Sequence, residues 1–449
     1  MPRYIGRIGG LNIHPHRGED DRPLLLRAGG KCKCQKTVML HVWEPFVVGS
    51  FVSCGRPKPQ RRGQRMTQPT LRYSRAGHTL SAMSRTKALE SLVEGRATAE
   101  GTHRFRERFV DAQPDTFYRV LADGAVVSSL GLGTYLGECE DVEDARYTAI
   151  VIAALERGVN ILDTAINYRC QRSERAIGEA LHTMISSGDI TREEIVVCTK
   201  GGYIPLERTP PATKEGYRGF LHSEYYGPGV MGPDDVVSGG HCLTPRYLDD
   251  QIERSRKNLG LAFIDVYYVH NPEQQLDVLS RPDFLDVMRR AFFALEDQVR
   301  RGVIGNYGCA TWNGFRVLPE ARNHLNLQEL VTVAREVGGK QHHFKVIQLP
   351  VNLAMTEAVR VPTQTVGTER IPLLEAAHRL GISVVGSATL MQSQLTRSLP
   401  KQLDSTFPGF SSDARRAIAF AQSLPLTAAL VGMKSVTHLE ANLECPEIS

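Results

Sequence analysis

From residue 123 onward the chain repeats one pattern eight times, a short apolar run followed by an amphipathic stretch of helical period. An apolar run of this length suits a strand buried on both faces, and the stretch after it supplies a crossover helix. The runs are Val126 to Ser129, Asn160 to Thr164, Ile195 to Lys200, Ile264 to His270, Ile304 to Thr311, Val346 to Val351, Ser383 to Ala388 and Ala428 to Gly432. Helices are expected at Val142 to Arg157, Arg172 to Ser187, Pro245 to Leu259, Phe284 to Arg301, Leu327 to Val337, Ile371 to Leu380, Ser411 to Ser423 and near Thr437. Eight strand–helix units predict an α/β fold, a (β/α)8 TIM barrel rather than an open doubly wound sheet. Gly131-Leu132-Gly133-Thr134 lacks the third glycine of a dinucleotide-binding turn, which also disfavours the open sheet.

Composition divides the chain. Residues 1–82 carry 15 Lys/Arg against 4 Asp/Glu, whereas the rest carries 39 against 45. The basic segment has no strand or helix period and is rich in Arg, Gly and Pro, so it is expected to be a disordered extension. Met66 and Met83 precede more protein-like sequence and are candidate natural starts, which leaves open whether residues 1–82 belong to the native protein. Residues 83–122 form a lead-in, with Ser84 to Ala97 patterned as a short amphipathic helix, and residues 123–449 form the barrel. The barrel sequence has no basic face for nucleic acid, and no apolar stretch is long enough to span a bilayer. An odd set of 9 cysteines without framework spacing fits a reducing cytoplasm.

Side chains at the C-terminal ends of barrel strands converge over one mouth. Asp163, Lys200 and His270 end the second, third and fourth runs, and Tyr168 follows Asp163 in the next loop. Reducing a carbonyl requires hydride at carbon and a proton at oxygen, and a phenol can donate that proton. Lys200 is expected to lower the Tyr168 pKa, Asp163 to pair with Lys200, and His270 to donate a hydrogen bond to the carbonyl oxygen. Singly, each has a structural role open to it: Asp163 as a turn cap, Tyr168 in packing, Lys200 in solvent, His270 as a buried histidine. Their joint occurrence favours a site. No cluster of His, Asp and Glu at strand ends offers three metal ligands.

These residues, with Leu130-Gly131-Leu132-Gly133-Thr134, Gly158 to Ala165, Asp265 to His270, Ile347 to Asn352 and Val431 to Ser435, resemble the aldo/keto reductase family. The resemblance runs from about Val127 to Asn442 and includes all four positions of the family's Asp, Tyr, Lys and His tetrad. It implies an NAD(P)H-dependent oxidoreductase that interconverts carbonyls and alcohols. The implied cofactor residues are Gly133, Thr134, Asp163, Thr311, Gln348, Ser387, Lys434, Ser435 and Asn442, with nicotinamide near Asp163, Tyr168 and Gln348. Lys434 and Ser435 match the family's adenosine-phosphate contacts, which implies NADPH, with NADH as the alternative.

The sequence departs from the family at Ala310-Thr311-Trp312-Asn313, where Ser-Asn is usual, and at Ala441-Asn442, where Glu-Asn is usual. With only seven residues after Asn442, the long Gly201 to Thr244 connection, with Tyr203, Tyr217, Tyr225 and Tyr226, is expected to wall the pocket together with Trp312. A nicotinamide-binding regulatory subunit on the same fold is the competing reading. Neither the small-molecule carbonyl substrate nor the oligomeric state is encoded in a readable motif.

Overall fold

The computed structural model describes residues 91–444. The basic extension, the candidate starts and the first part of the Ser84 to Ala97 helix lie outside them. Within that span residues 91–97 are not helical: Val93 makes a parallel bridge to Leu261, and a helix begins only at Ala99–Glu107. Thr98 caps it, its side chain accepting from Gly101 N at 2.9 Å.

Strands β1 (Tyr118–Val120) and β2 (Val126–Ser128) pair antiparallel as a hairpin. Eight further strands close a parallel barrel: β3 (Leu130–Gly133), β4 (Ile161–Asp163), β5 (Val196–Gly201), β6 (Ile264–His270), β7 (Ile304–Ala310), β8 (Phe344–Pro350), β11 (Ser383–Ser387) and β12 (Ala428–Gly432). The intervening β9 (Gln364–Val366) and β10 (Glu369–Ile371) form a separate two-stranded ribbon. The (β/α)8 expectation holds, with one correction at its start. Val126 to Ser128 is the second arm of the hairpin rather than the first barrel strand, because Asp123-Gly124 turns the chain back and Leu130–Gly133 completes the barrel.

Period-two alternation separates the two cores. Leu130, Leu132, Leu162, Val197, Tyr267, Val269 and Ile347 face outward into the large apolar layer beneath the helices. Ile161, Val196, Cys198, Val266, Tyr268, Ala310, Val346, Val385, Ala428 and Leu430 face inward. Leu121, Ala125 and Val127 of the hairpin join this inner cluster and plug the N-terminal end of the barrel. Truncating an outer-layer residue such as Leu162 to Ala would cost about 2–5 kcal/mol. A Cβ on inward-facing Gly131 would lie 2.7 Å from Leu430 Cδ2, so any larger residue there would have to displace that side chain.

The helices Asp141–Leu155, Arg172–Ser187, Pro245–Leu259, Arg281–Arg300, Leu327–Gly338, Leu373–Leu380, Asp413–Ser423 and Val436–Leu443 match the expected ones within a few residues. The long Gly201 to Thr244 connection contains a helix, Lys214–Leu221. Its buried residues Ile204, Leu221, Tyr225, Met231 and Cys242 pack with Tyr247 as a small core of their own.

Candidate active site

The inward parity that fills the barrel also aims its terminal side chains. Asp163 is two residues beyond inward Ile161, Lys200 two beyond Cys198, His270 two beyond Tyr268, and Gln348 two beyond Val346. All four therefore point into the C-terminal mouth. Lys200 is fully buried and donates from Nζ to Asp163 Oδ1 and to the Thr164 carbonyl, each at 2.6 Å. Gln348 reaches across from β8 and donates to Asp163 Oδ2 at 2.7 Å, so both carboxylate oxygens are engaged.

Tyr168 stands over this pair. Its ring centroid is 5.1 Å from Lys200 Nζ and 5.9 Å from the His270 ring, with the two rings edge to face at 75°. Burial, the Asp163 carboxylate and Tyr135 push the Tyr168 phenol well above its ordinary value. The expected lowering by Lys200 is thus not met. The ammonium's short hydrogen bonds go to Asp163 and Thr164, and a buried ion pair presents little net charge to a third group.

His270 is held as a neutral ring, because burial and the Lys200 charge push its pKa well below the usual imidazole value. A second layer supports it. Tyr203 packs edge to face on His270 at 5.0 Å, and His241, fully buried, contacts the His270 carbonyl oxygen through Nε2 at 2.7 Å. Gln275 Nε2 lies 2.8 Å from the other ring nitrogen of His241, and Asn271 Nδ2 donates to the Tyr203 hydroxyl at 3.0 Å. Of the insertion's tyrosines only Tyr203 reaches the tetrad residues, whereas Tyr217, Tyr225 and Tyr226 pack in the insertion's own core. No sequence signal marked His241 or Gln275.

The remaining expected positions ring the mouth. Thr134 donates from N and Oγ1 to the Asp163 carbonyl, at 3.2 and 3.1 Å. A Cβ on Gly133 would meet Gly432 N, Leu430 Cβ and Val431 C at 3.9 Å, an ordinary contact distance, so packing does not demand glycine there. Thr311 N donates to the Gln348 carbonyl at 2.8 Å. Asn313 is exposed, and Trp312 is half-buried. Glu273, buried and unmarked by the sequence reading, accepts from the backbone N of Trp312, Asn313 and Gly314 at 2.9, 3.1 and 3.2 Å. Ser387 ends β11 with inward parity. Ser435 caps the Val436–Leu443 helix, and Asn442 is buried on it. Lys434 is ion-paired with Glu143, whose carboxyl is held below its usual range by Lys434 and Arg146 despite burial.

The buried polar atoms without a hydrogen-bond partner at or just beyond the C-terminal ends of barrel strands include Thr164 Oγ1, Asn167 Oδ1, His270 Nδ1, Thr311 Oγ1 and Thr389 Oγ1. They follow or end four different strands, β4, β6, β7 and β11. Orphaned buried polar atoms are rare in folded chains and call for an explanation. A polar ligand lying across the barrel mouth fits this set.

The model of the aldo/keto reductase family matches residues 129–406. The chain belongs to the aldo/keto reductase family. Among curated aldo/keto reductase relatives, it is 25% identical over 206 residues to aldo-keto reductase family 1 member C13 of Mus musculus, covering 43% of this chain and 50% of that one. It is 29% identical over 192 residues to D-threo-aldose 1-dehydrogenase of a Pseudomonas species (42% and 52%). It is 24% identical over 209 residues to the NADH-specific methylglyoxal reductase of Escherichia coli strain K12 (45% and 53%). The chain thus spans about half the length of the curated relatives it matches. A solved aldo-keto reductase from Bacillus halodurans, in its holo form, is similar at 19% identity and a TM-score of 0.48, over 73% of this chain and 89% of that one. Among the described residues no helix is long and apolar enough to cross a membrane.

Proposed function

We propose that this aldo/keto reductase is an oxidoreductase that reduces an aldehyde or ketone to the alcohol with NADPH, NADH being the alternative donor. The observation that carries the reading is the convergence of Asp163, Tyr168, Lys200 and His270 at one barrel mouth, with Lys200 bonded to Asp163 at 2.6 Å. When bound, the reduced nicotinamide supplies hydride to the carbonyl carbon. Tyr168, kept protonated by its raised pKa, delivers the proton to the carbonyl oxygen. Neutral His270 orients that oxygen by a hydrogen bond and stabilises the charge developing on it. Lys200 and Asp163 hold the floor under the tyrosine, and Lys200 balances the buried carboxylate.

In this reading Thr164, Asn167, Thr311 and Gln348 would hold the nicotinamide end, and Ser387, Lys434, Ser435 and Asn442 the adenosine end, supported by the unpartnered atoms of Thr164, Asn167 and Thr311. The matched relatives include a dehydrogenase and a reductase by name, and the same oxidoreductase chemistry is extended here to this chain. A cytoplasmic location with a small-molecule carbonyl substrate is part of the same reading.

The test is purified protein with NADPH or NADH and a panel of aldehydes and ketones, following loss of reduced-nicotinamide absorbance. Turnover is expected, and Tyr168→Phe should lower kcat by about 10²–10⁴-fold while leaving NADPH binding intact. Tight NADPH binding with no turnover across the panel would sink the enzyme reading in favour of a regulatory subunit.

A further inference from the structure

Cys139 and Cys170 lie at the same barrel mouth, on the loops that follow β3 and β4, and their sulfur atoms are 3.2 Å apart. Cys139 is half-buried and Cys170 is buried. The other described cysteines, Cys198, Cys242 and Cys309, are buried. Cys170 is two residues beyond Tyr168, and the first loop carries Tyr135, whose exposed ring packs edge to face on Tyr168 at 5.0 Å. From the structure we propose that Cys139 and Cys170 form a reversible disulfide that staples the Tyr135 loop to the Tyr168 loop.

The backbone already presents the two thiols to each other. Arg169 is buried and donates from Nε to the Glu138 carbonyl at 2.9 Å and from Nη2 to the Glu140 carbonyl at 3.4 Å, clamping the residues on both sides of Cys139. Arg169, Cys170 and Gln171 all hold positive φ, at 48°, 54° and 69°. Consecutive non-glycine residues persist in that region only where their surroundings hold them. The Cys170 carbonyl also accepts from Arg208 N at 3.2 Å. Bringing the sulfurs to a bond of about 2.05 Å therefore requires an approach of roughly 1 Å.

A hydroperoxide is the oxidant class that closes the chemistry with water as the product. The more accessible Cys139, as thiolate, attacks peroxide oxygen and becomes a sulfenic acid, releasing hydroxide, which takes up the thiol proton to become water. Burial and the neighbouring sulfur push the Cys170 thiol up to about 12, which assigns it the resolving role. Cys170 sulfur displaces hydroxide from Cys139, its proton leaving with that hydroxide as the second water. The two sulfurs lose two electrons in total, and one peroxide gains them. A dithiol reverses the bond by exchange.

The test uses the full chain treated with hydrogen peroxide and mapped by mass spectrometry of an unreduced digest. The expected product joins the Cys139 and Cys170 peptides, two hydrogens lighter than their sum, is lost on dithiothreitol treatment and is absent from Cys139→Ser. Oxidation of Cys139 to a sulfinic acid with Cys170 left as a thiol would overturn the proposal. The oxidised protein should also melt about 5 °C higher than the reduced one, because the bond closes a loop of some thirty residues. A cross-link that forms with unchanged melting would refute the staple. Neither readout depends on turnover, so the proposal stands or falls separately from the reductase reading.

Discussion

Lys200 directs its charge to Asp163: the ammonium lies 2.6 Å from the carboxylate oxygen and meets Tyr168 only as a ring, at 5.1 Å. Breaking this pair leaves Lys200 as a buried charge without a counterion. Asp163→Asn is therefore expected to lower unfolding stability by about 3–5 kcal/mol, read from a urea or guanidinium midpoint. A change within about 0.5 kcal/mol would show that solvent reaches the pair.

Tyr168 keeps its proton well above neutral pH, since burial and the Asp163 charge both favour the phenol. Carbonyl reduction should then be nearly independent of pH from about 6 to about 9, while alcohol oxidation, which needs the phenolate as base, should rise about tenfold per pH unit. Initial rates in both directions across that range check this. A reduction rate that falls within it would remove Tyr168 as the acid.

His241 gives the fold an acid sensitivity. Burial lowers its pKa to about 4, so below the ordinary value of about 6.5 the unfolded chain binds a proton that the folded chain refuses. Stability is lost as pH falls through that window, approaching about 1.4 kcal/mol per pH unit from this group. The lowered pKa of His270 acts with the same sign. The raised pKa values of Asp163, Glu174 and Glu273 act oppositely, giving stability that is present below about pH 4 and lost as pH rises. Subtracting the His241→Gln profile from wild type isolates the histidine. The wild-type minus variant difference should fall as pH drops from about 6.5 to about 4, and parallel profiles would mean that His241 protonates freely in the fold.

Glu143 competes for the lysine that the NADPH assignment relies on, because Lys434 is ion-paired with it. Glu143→Gln is expected to tighten NADPH binding by about 3- to 10-fold and leave NADH nearly unchanged, measured by fluorescence titration. Equal tightening of both cofactors would place Lys434 away from the 2′-phosphate.

The strand ends were the most legible part of this chain. A period-two pattern with a polar residue ending an apolar run determines which face that residue takes, and Asp163, Lys200 and His270 follow from it, whereas Gln348, inside its run, came only from the family resemblance. The first barrel strand was misplaced because Val126 to Ser128 is as apolar as the strand beyond it, although Asp123-Gly124 was available as a hairpin signal. The Tyr203–His241–Gln275 support, the Lys434–Glu143 pair and the Cys139–Cys170 contact join residues far apart in sequence. No local period encodes such pairings, since closure of the barrel creates them. The direction of the Tyr168 pKa was hidden for a related reason: Lys200 has two candidate neighbours in sequence, and only packing decides that it bonds to Asp163.

The Glu273 carboxylate that accepts from Trp312, Asn313 and Gly314 occupies a concave set of amides of the kind that elsewhere binds anions. Here the protein supplies its own anion, so the backbone of that loop keeps one shape whatever side chains it carries. Trp312 and Asn313 thereby become exchangeable letters on a fixed frame. A substitution at either position would change the side chain presented at the end of β7 while leaving the three backbone bonds to Glu273 in place.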